Sequence, residues 1–315
     1  MFQRIKETID GGRRFLVTTH RDPDGDALGS AFATAFALTG LGKDAAVYLK
    51  DPVPYRYRFL PKPAALLHEI SEDDGYDSVI VVDCGSLFRV GNGLESLKRR
   101  GQLINVDHHL ANEAFGQINI LDERASSTAE ILYVILKSLG VRFTFEIAVN
   151  LYTAILTDTG SFRYESTTKR AFSICEEMTE FGVIPSSVAT EVYENHPKER
   201  CRLLCLVLAT LETFSRDRIA LASVTQEMFT ETGTNREHTE GFVEQIKEID
   251  SVQVACLMRE LGDGRYKISM RSKGSIDVAA VARTFGGGGH RNAAGCVLEG
   301  DMGAVKSRLV GAFSL

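Results

Sequence analysis

Val79-Ile80-Val81-Val82 is an unbroken run of β-branched residues that stops on Asp83. Leu103–Val106 is a second apolar run and stops on Asp107; Arg14–Thr19 is a third and stops on His20. Short apolar runs bounded by turn residues fit strands buried on both faces, which is how parallel sheets are covered. Ala45–Leu49 adds another strand candidate. Helical patterns at Asp26–Thr39, Ser126–Leu139 and Glu146–Leu156 alternate with these runs, the last apolar almost all round and therefore buried. The alternation predicts an α/β fold built on a doubly wound parallel sheet. Open α/β sheets bind ligands just past the carboxyl ends of their strands. Acid and imidazole side chains occupy those places here.

They come as four motifs: His20-Arg21-Asp22-Pro23-Asp24-Gly25-Asp26, Val82-Asp83-Cys84-Gly85, Val106-Asp107-His108-His109 and Thr157-Asp158-Thr159-Gly160. In the first, Pro23 and Gly25 call for a tight turn, so Asp24 and Asp26 can diverge toward two neighbouring cations. Asp26 is also the expected N-cap of the helix that follows. Taken alone, Asp22, Asp24 and Asp26 read equally well as turn and cap residues. Asp83, closing a fully apolar strand, is placed to bridge two metals with its two oxygens; alone it would more often cap a turn. At Asp107-His108-His109, one imidazole can bind metal while the acid orients it, and the other can face substrate as a donor. Asp158 fits a helix-end residue and a ligand equally well, and only the other three motifs favour the ligand. Together the motifs carry enough oxygen and nitrogen ligands for two divalent metals, an arrangement usually associated with hydrolysis of phosphate esters. The ligand set contains no thiolate, which favours Mn²⁺ over a structural Zn²⁺ site.

The 315 residues allow two domains, and 44% hydrophobic with 25% charged residues is ordinary for a soluble globular chain. A net charge of −6 argues against binding long nucleic acid through an electrostatic face. It leaves room for a short anionic substrate, because bound metals reverse the local sign. The six cysteines include no C-x-x-C pair, which is cytosolic, reduced usage. Cys201 and Cys205, one helical turn apart in an apolar run, are expected in the core. Met1–Arg14 lacks the apolar segment of a signal peptide, and the longest apolar stretch, near Leu203–Leu211, is too short to span a bilayer.

Lys169–Gly182, Ser186–Tyr193 and Pro197–Leu211 continue helically. After them the style changes. Arg218–Val224, Val252–Glu260 and Tyr266–Arg271 are strand candidates, with helices expected at Asn235–Ile246 and Ile276–Phe285. The expected organisation is a catalytic domain over 1–193, a helical linker over 194–215 and a smaller α/β domain over 216–315. In that second part, Phe285 precedes four consecutive glycines, Gly286–Gly289, then His290-Arg291-Asn292-Ala293-Ala294-Gly295. Such a run lets backbone N–H groups approach an anion. Arg271, followed by Ser272-Lys273-Gly274, can offer a guanidinium fork to a phosphate.

The four motifs and the distal loop, matched in order, resemble the DHH phosphoesterase superfamily, named for Asp107-His108-His109. Gly286–Gly295 resembles the signature of the subgroup with a C-terminal DHHA1 domain. Tyr55-Arg56-Tyr57-Arg58-Phe59-Leu60-Pro61 and Thr157–Tyr164 are similar to the compact bacterial nanoRNase/pAp phosphatase group, and the resemblance covers nearly the whole chain. It implies hydrolysis of short RNA oligonucleotides and of 3′-phosphoadenosine 5′-phosphate (pAp) with two bound metals, Mn²⁺ first and Mg²⁺ as the alternative. Carried over residue by residue, one metal takes His20, Asp24 and Asp83, and the other takes Asp26, Asp83, His108 and Asp158. Asp107 tunes the ligands and His109 faces the scissile phosphate. Arg271, Ser272, Gly287, Gly288, Gly289 and His290 contact substrate across an interdomain cleft. The expected partners are short oligonucleotides and nucleotides, with no long nucleic acid and no membrane; a homodimer is left open.

Competing readings are a family II inorganic pyrophosphatase, which shares the metal motifs but not the glycine-rich loop, and a RecJ-like single-strand exonuclease, for which this chain is short and acidic. An enzyme cleaving linear pApA is the nearest rival. A non-catalytic nucleotide sensor would usually have lost a metal ligand, and none is missing.

Overall fold

The computed structural model describes residues 2–91 and 93–313. The chain forms two compact units, Met1–Asn195 and His196–Leu315. The first unit runs α1 (Phe2–Gly11), β1 (Arg14–Thr18), α2 (Gly25–Gly40), β2 (Asp44–Tyr48), β3 (Leu66–Leu67), β4 (Ser78–Val82), α3 (Gly93–Ser96), β5 (Gln102–Asp107), β6 (Ile118–Leu121), α4 (Thr128–Ser138), α5 (Phe145–Asp158), α6 (Lys169–Glu180) and α7 (Pro185–Ala189). Its six strands lie in the order β3-β2-β1-β4-β5-β6, and every neighbouring pair is parallel. This is the doubly wound α/β sheet the sequence predicts. The order reverses between β1 and β4, so the carboxyl ends of those two strands open the crevice at the topological switch point.

Strand alternation divides the apolar residues between two faces. Phe15, Val17, Val47, Ile80, Val82, Ile104 and Val106 pack with α1, α2, α4, α5 and α6 in one large core. Leu16, Ala46, Val79, Val81 and Leu103 face the other way, under Val90, Leu94 and Leu97. The long helices thus cover the first face and, among the described residues, only α3 the second. Short turns and α3 close the second face, and this suffices to bury every residue of β4. Helices α2 and α5 touch backbone to backbone. A Cβ on Gly29 would lie 2.3 Å from the Asn150 carbonyl oxygen, and one on Gly25 would lie 2.3 Å from Thr157 Oγ1. The two glycines are four residues apart and so share a helix face. Their closeness brings the start of α2 to the end of α5.

The second unit runs α8 (Lys198–Leu208), β7 (Glu212–Phe214), β8 (Ile219–Val224), α9 (Gln226–Thr232), α10 (Phe242–Lys247), β9 (Val254–Gly262), β10 (Arg265–Ser272), α11 (Val278–Thr284), β11 (Gly288–His290), β12 (Ala293–Glu299) and α12 (Met302–Gly311). Its sheet has the order β11-β12-β10-β9-β8-β7 and is mixed, with only β8 and β9 parallel. One face carries α11 and α12, and the β8–β9 part of the other carries α8 and α10.

Several local expectations change. The helix expected over Asn235–Ile246 is broken into a 3₁₀ turn, Arg236–Thr239, and α10, because Gly241 sits between them at φ 85°. The span 194–215, read as a linker, contains α8, whose Leu203 and Val207 are fully buried in the second unit's core. Cys201 and Cys205 are exposed, against the expectation of burial. Leu203 and Val207 define the inward face of α8, and residues two positions away point about 200° around the helix, into solvent. Tyr55–Tyr57 is a 3₁₀ turn whose buried Arg56 donates to the Val192 carbonyl at 3.0 Å, so this segment ties the first unit together. Among the described residues, no helix is long and apolar enough to cross a membrane.

Replacing Gly29 with valine should push α2 from α5 and cost about 1–3 kcal/mol by overpacking. Urea denaturation of the variant against the wild type measures it, and an unchanged midpoint would refute the close-contact account.

Candidate metal centre

Eight acid and imidazole side chains of the four motifs lie in one cluster at the carboxyl ends of β1, β4 and β5. His20 follows β1. Its Nδ1 is 2.7 Å from the Arg21 carbonyl oxygen, and its Nε2 lies 3.6 Å from Asp83 Oδ2. His108 follows β5. Its Nδ1 is 3.2 Å from the Ala125 carbonyl, and its Nε2 lies 3.3 Å from Asp158 Oδ2, 3.7 Å from Asp83 Oδ1 and 3.8 Å from Asp26 Oδ2. Each ring donates through Nδ1 to a carbonyl, which leaves Nε2 as the atom that can bind metal. Asp83 therefore shows one oxygen to the His20 side and the other to the His108 side.

The N-cap of helix α2 falls two residues earlier than expected. Asp24, not Asp26, is its N-cap and accepts from Ala27 N–H at 3.0 Å. The Pro23–Gly25 turn closes at Asp24, so Asp26 falls in the first helical turn, pointing inward and 1% exposed. Its Oδ1 accepts from Ser30 Oγ at 3.0 Å and Ala129 N–H at 3.1 Å, and its Oδ2 accepts from Thr128 N–H at 2.6 Å. Asp158 ends α5. Immediately after it, Gly160, Ser161 and Phe162 are all left-handed, at φ 57°, 62° and 62°, and turn the chain sharply away. Such backbone costs energy in non-glycine residues and recurs at functional sites. Asp107 is fully buried. Its Oδ1 accepts from His109 Nδ1 at 2.7 Å and from His108 N–H at 2.8 Å, and its Oδ2 accepts from Asn112 Nδ2 at 2.5 Å. Asp107 thus orients His109.

The electrostatics are those of anions held together. Burial first, and then the charges of Asp83 and Asp158, push the Asp26 carboxyl well above the usual range. Burial pushes Asp158 up to about 7 against the opposing charge of His108, with Asp83 and Asp24 adding to the rise. Burial would raise Asp83 as well, but the His20 hydrogen bond and the charges of His109, His20 and His108 hold it below the normal value. Burial disfavours charge on His108, yet Asp158, Asp26 and Asp83 raise it to about 9. Protons on these groups stand where cations would. Asp26, Asp83 and His108 each offer a ligand atom within 4.8 Å of the others, and so do His20, Asp24 and Asp83. Metal bonds of about 2.1 Å set neighbouring ligands about 3 Å apart in octahedral geometry, so the observed gaps of 3.3–3.8 Å need only small closure. The donor set is oxygen and imidazole nitrogen throughout, and it fits a pair of divalent ions.

The second unit arranges its predicted residues differently from one another. Arg271 on β10, Ala293 on β12 and His290 on β11 are in register across three strands, so Arg271 and His290 share a sheet face. Ser272 is on the opposite face. It is 3% exposed, and its Oγ donates to the Ile276 carbonyl at 2.7 Å and accepts from Asn292, so it holds a turn together. Arg271 Nε donates to Glu244 Oε1 at 2.7 Å, which uses one edge of the guanidinium fork. The glycine run passes from a turn at Gly286 into a hairpin strand, Gly288–His290, rather than forming an open loop. A Cβ on Gly287 would come within 2.2 Å of the Gly295 carbonyl oxygen, and one on Gly289 within 2.5 Å of the Ala293 oxygen. Strand packing explains those two glycines; Gly288 faces open space.

Sequence reasoning missed Ser30, Asn112, Thr128 and Ala129. The last two had a signal. Ser127-x-x-Glu130 is a helix N-terminal spacing, and a helix start presents N–H groups to an anion. Ser127 does cap α4, accepting from Glu130 N–H at 3.2 Å. Ser30 and Asn112 carried no recognisable pattern.

A model of the DHH family N-terminal domain matches residues 14–157, and a DHHA1 domain model matches residues 218–310. The bifunctional oligoribonuclease and PAP phosphatase NrnA of Thermus thermophilus is 32% identical over 284 residues, covering 90% of this chain and 84% of that protein. A crystal structure of an exopolyphosphatase-related protein from Bacteroides fragilis superposes with a TM-score of 0.89 at 27% identity, over 99% of this chain and 94% of that one. RecJ from Thermus thermophilus, solved in complex with Mn²⁺, shares the fold at a TM-score of 0.56 and 15% identity, over 99% of this chain and 54% of its own. With both domain models matched in order and the Thermus thermophilus relative aligned along most of its length, the chain belongs to the DHH–DHHA1 phosphoesterases, in the group of bifunctional oligoribonucleases and PAP phosphatases.

Proposed function

We propose that this phosphoric ester hydrolase works with two divalent cations, Mn²⁺ by preference, cleaving short RNA oligonucleotides, pApA among them, to mononucleotides and pAp to AMP. The observation that carries the reading is Asp83, which is 2% exposed and has His20 on one oxygen and His108 on the other. His20, Asp24 and Asp83 hold one cation; Asp26, Asp83, His108 and Asp158 hold the other. Bound there, the pair would supply Lewis acidity and would lower the pKa of a water toward neutrality.

The chain's own groups do the rest. Asp107 Oδ1 accepts from His109 Nδ1 at 2.7 Å. Burial disfavours charge on His109, but Asp107 and Asp83 raise its pKa above the ordinary value, and the protonated ring presents Nε2–H to the phosphate as a donor. The cluster is acidic until cations neutralise it, so an anionic substrate binds after the metals. Arg271 and His290 hold the substrate's phosphates from an open sheet face. That face is lined by small residues, Ala293 and Gly295, beside Arg271. Glu244 accepts from Arg271 Nε at 2.7 Å and the Met270 carbonyl accepts from Nη1 at 3.1 Å, which fixes the guanidinium's orientation for a phosphate contact. The net charge of −6 supports short substrates over long strands. The NrnA name of the relatives supports the same substrates.

Chelation should abolish hydrolysis and Mn²⁺ should restore it best; full turnover in excess EDTA refutes the metal reading. Asp83→Ala should be the most damaging single ligand change, since it removes a contact to both cations, and near-normal turnover would refute the bridging role. Product analysis should show 5′-phosphorylated di- to pentanucleotides degraded far faster than long strands, whereas equal digestion of long single-stranded DNA would point to RecJ-type activity. Arg271→Ala should remove a charged phosphate contact worth on the order of 1.5–3 kcal/mol. That is a loss of roughly ten- to a hundredfold in kcat/KM, with Mn²⁺ content unchanged; unaltered kinetics in both Arg271→Ala and His290→Ala would remove the second unit from substrate binding.

A further inference from the structure

The first turn of α4 touches two carboxylates of the cluster at once. Thr128 N–H donates to Asp26 Oδ2 at 2.6 Å, Ala129 N–H donates to Asp26 Oδ1 at 3.1 Å, and the Thr128 hydroxyl donates to Asp83 Oδ1 at 3.1 Å. Thr128 is fully buried. Its hydroxyl is not needed to start the helix, because Ser127 already provides the cap. It reaches instead to a carboxylate 45 residues earlier in the chain.

That bond bears on the shape of the site. Asp83 serves two cations only while Oδ1 faces His108 and Oδ2 faces His20. A carboxylate's terminal torsion is broad and weakly restrained by its own bonds. Rotation of the Asp83 carboxylate would turn both oxygens away from their partners and would break the Thr128 bond. The donor itself is anchored. Glu130, 1% exposed, accepts from Ser126 N–H at 2.9 Å, Ser126 Oγ at 2.5 Å, Thr168 Oγ1 at 3.1 Å and Arg170 Nε at 2.5 Å. This ties the residues just before and within the first turn of α4 to the start of α6.

We infer that Thr128 is a positioning residue that locks Asp83 in its bridging orientation and so couples the two cation sites. The inference rests on the two-cation reading above. Thr128→Val deletes the hydroxyl, keeps the side-chain shape and leaves the backbone bond to Asp26 in place. Groups that orient metal ligands typically cost about ten- to a hundredfold in affinity when removed. Calorimetric titration with Mn²⁺ should show that loss in the valine variant. Its electron paramagnetic resonance spectrum should lose the exchange-coupled signal of a paired Mn²⁺ site at metal ratios where the wild type shows it. Thr128→Ser should restore both. Should the valine variant fail to fold, Thr128→Ala against Thr128→Ser makes the same comparison, the alanine losing affinity and coupling and the serine keeping them. A folded valine or alanine variant that binds two Mn²⁺ with wild-type affinity and an unchanged coupled spectrum overturns the inference. A wild type that binds no coupled pair overturns the two-cation reading, and this inference with it.

Discussion

Confining carboxylates out of water is the constraint on which the first unit depends. Asp26 and Asp83 are buried, with ligand atoms within 4.8 Å of each other, beside Asp158. Two unit charges at that separation repel by about 3–4 kcal/mol at an effective dielectric of 20. No sequence would keep such a cluster unless something offset it. Three devices do so: imidazoles on Asp83 and Asp158, backbone N–H groups of α4 on Asp26, and a donor set able to take divalent cations.

The sheet puts these groups where that offset can operate. A parallel sheet delivers every strand's carboxyl end to one edge, and reversal of strand order between β1 and β4 opens a crevice there. His20 and Asp83 leave from the two strands at the reversal, and Asp107, His108 and His109 leave from the next. Asp26 and Asp158 arrive differently. They sit at the start of α2 and the end of α5, and the contact made possible by Gly25 and Gly29 brings these ends together. Packing between helices is thus part of the chemistry, since a side chain at Gly29 would displace the carboxylates as well as the helices.

The second unit shows how one motif can serve two demands. Gly287 and Gly289 are required by close strand packing, whatever binds nearby. Arg271 and His290 are in register on one face of the same three strands, while Ser272 is turned to the other. Two of the four consecutive glycines therefore serve the fold itself.

The parallel sheet was legible in the sequence because consecutive β-branched residues have few other places to go, and three of the four motifs were legible because each follows a strand, whereas Asp158 ends a helix. Asp83, Asp107 and His108 could be named because a strand's end fixes where its next residue points. The register of Arg271 with His290, the exposure of Cys201 and Cys205 and the break at Gly241 were not legible, because each depends on which face a neighbouring element covers or on a single backbone angle. The cap of α2 was misplaced by two residues, since Asp24 and Asp26 are equally good caps until the turn before them is closed. The sequence by itself determined which acid and imidazole groups would gather and that a strand edge would present most of them. Only the tertiary structure decided that Asp83 turns one oxygen to each side, that Thr128 and Ala129 meet the carboxylates and that Glu244 holds Arg271. The reason is physical: these are contacts between segments up to 103 residues apart, set by helix packing and strand register rather than by any local preference of the chain.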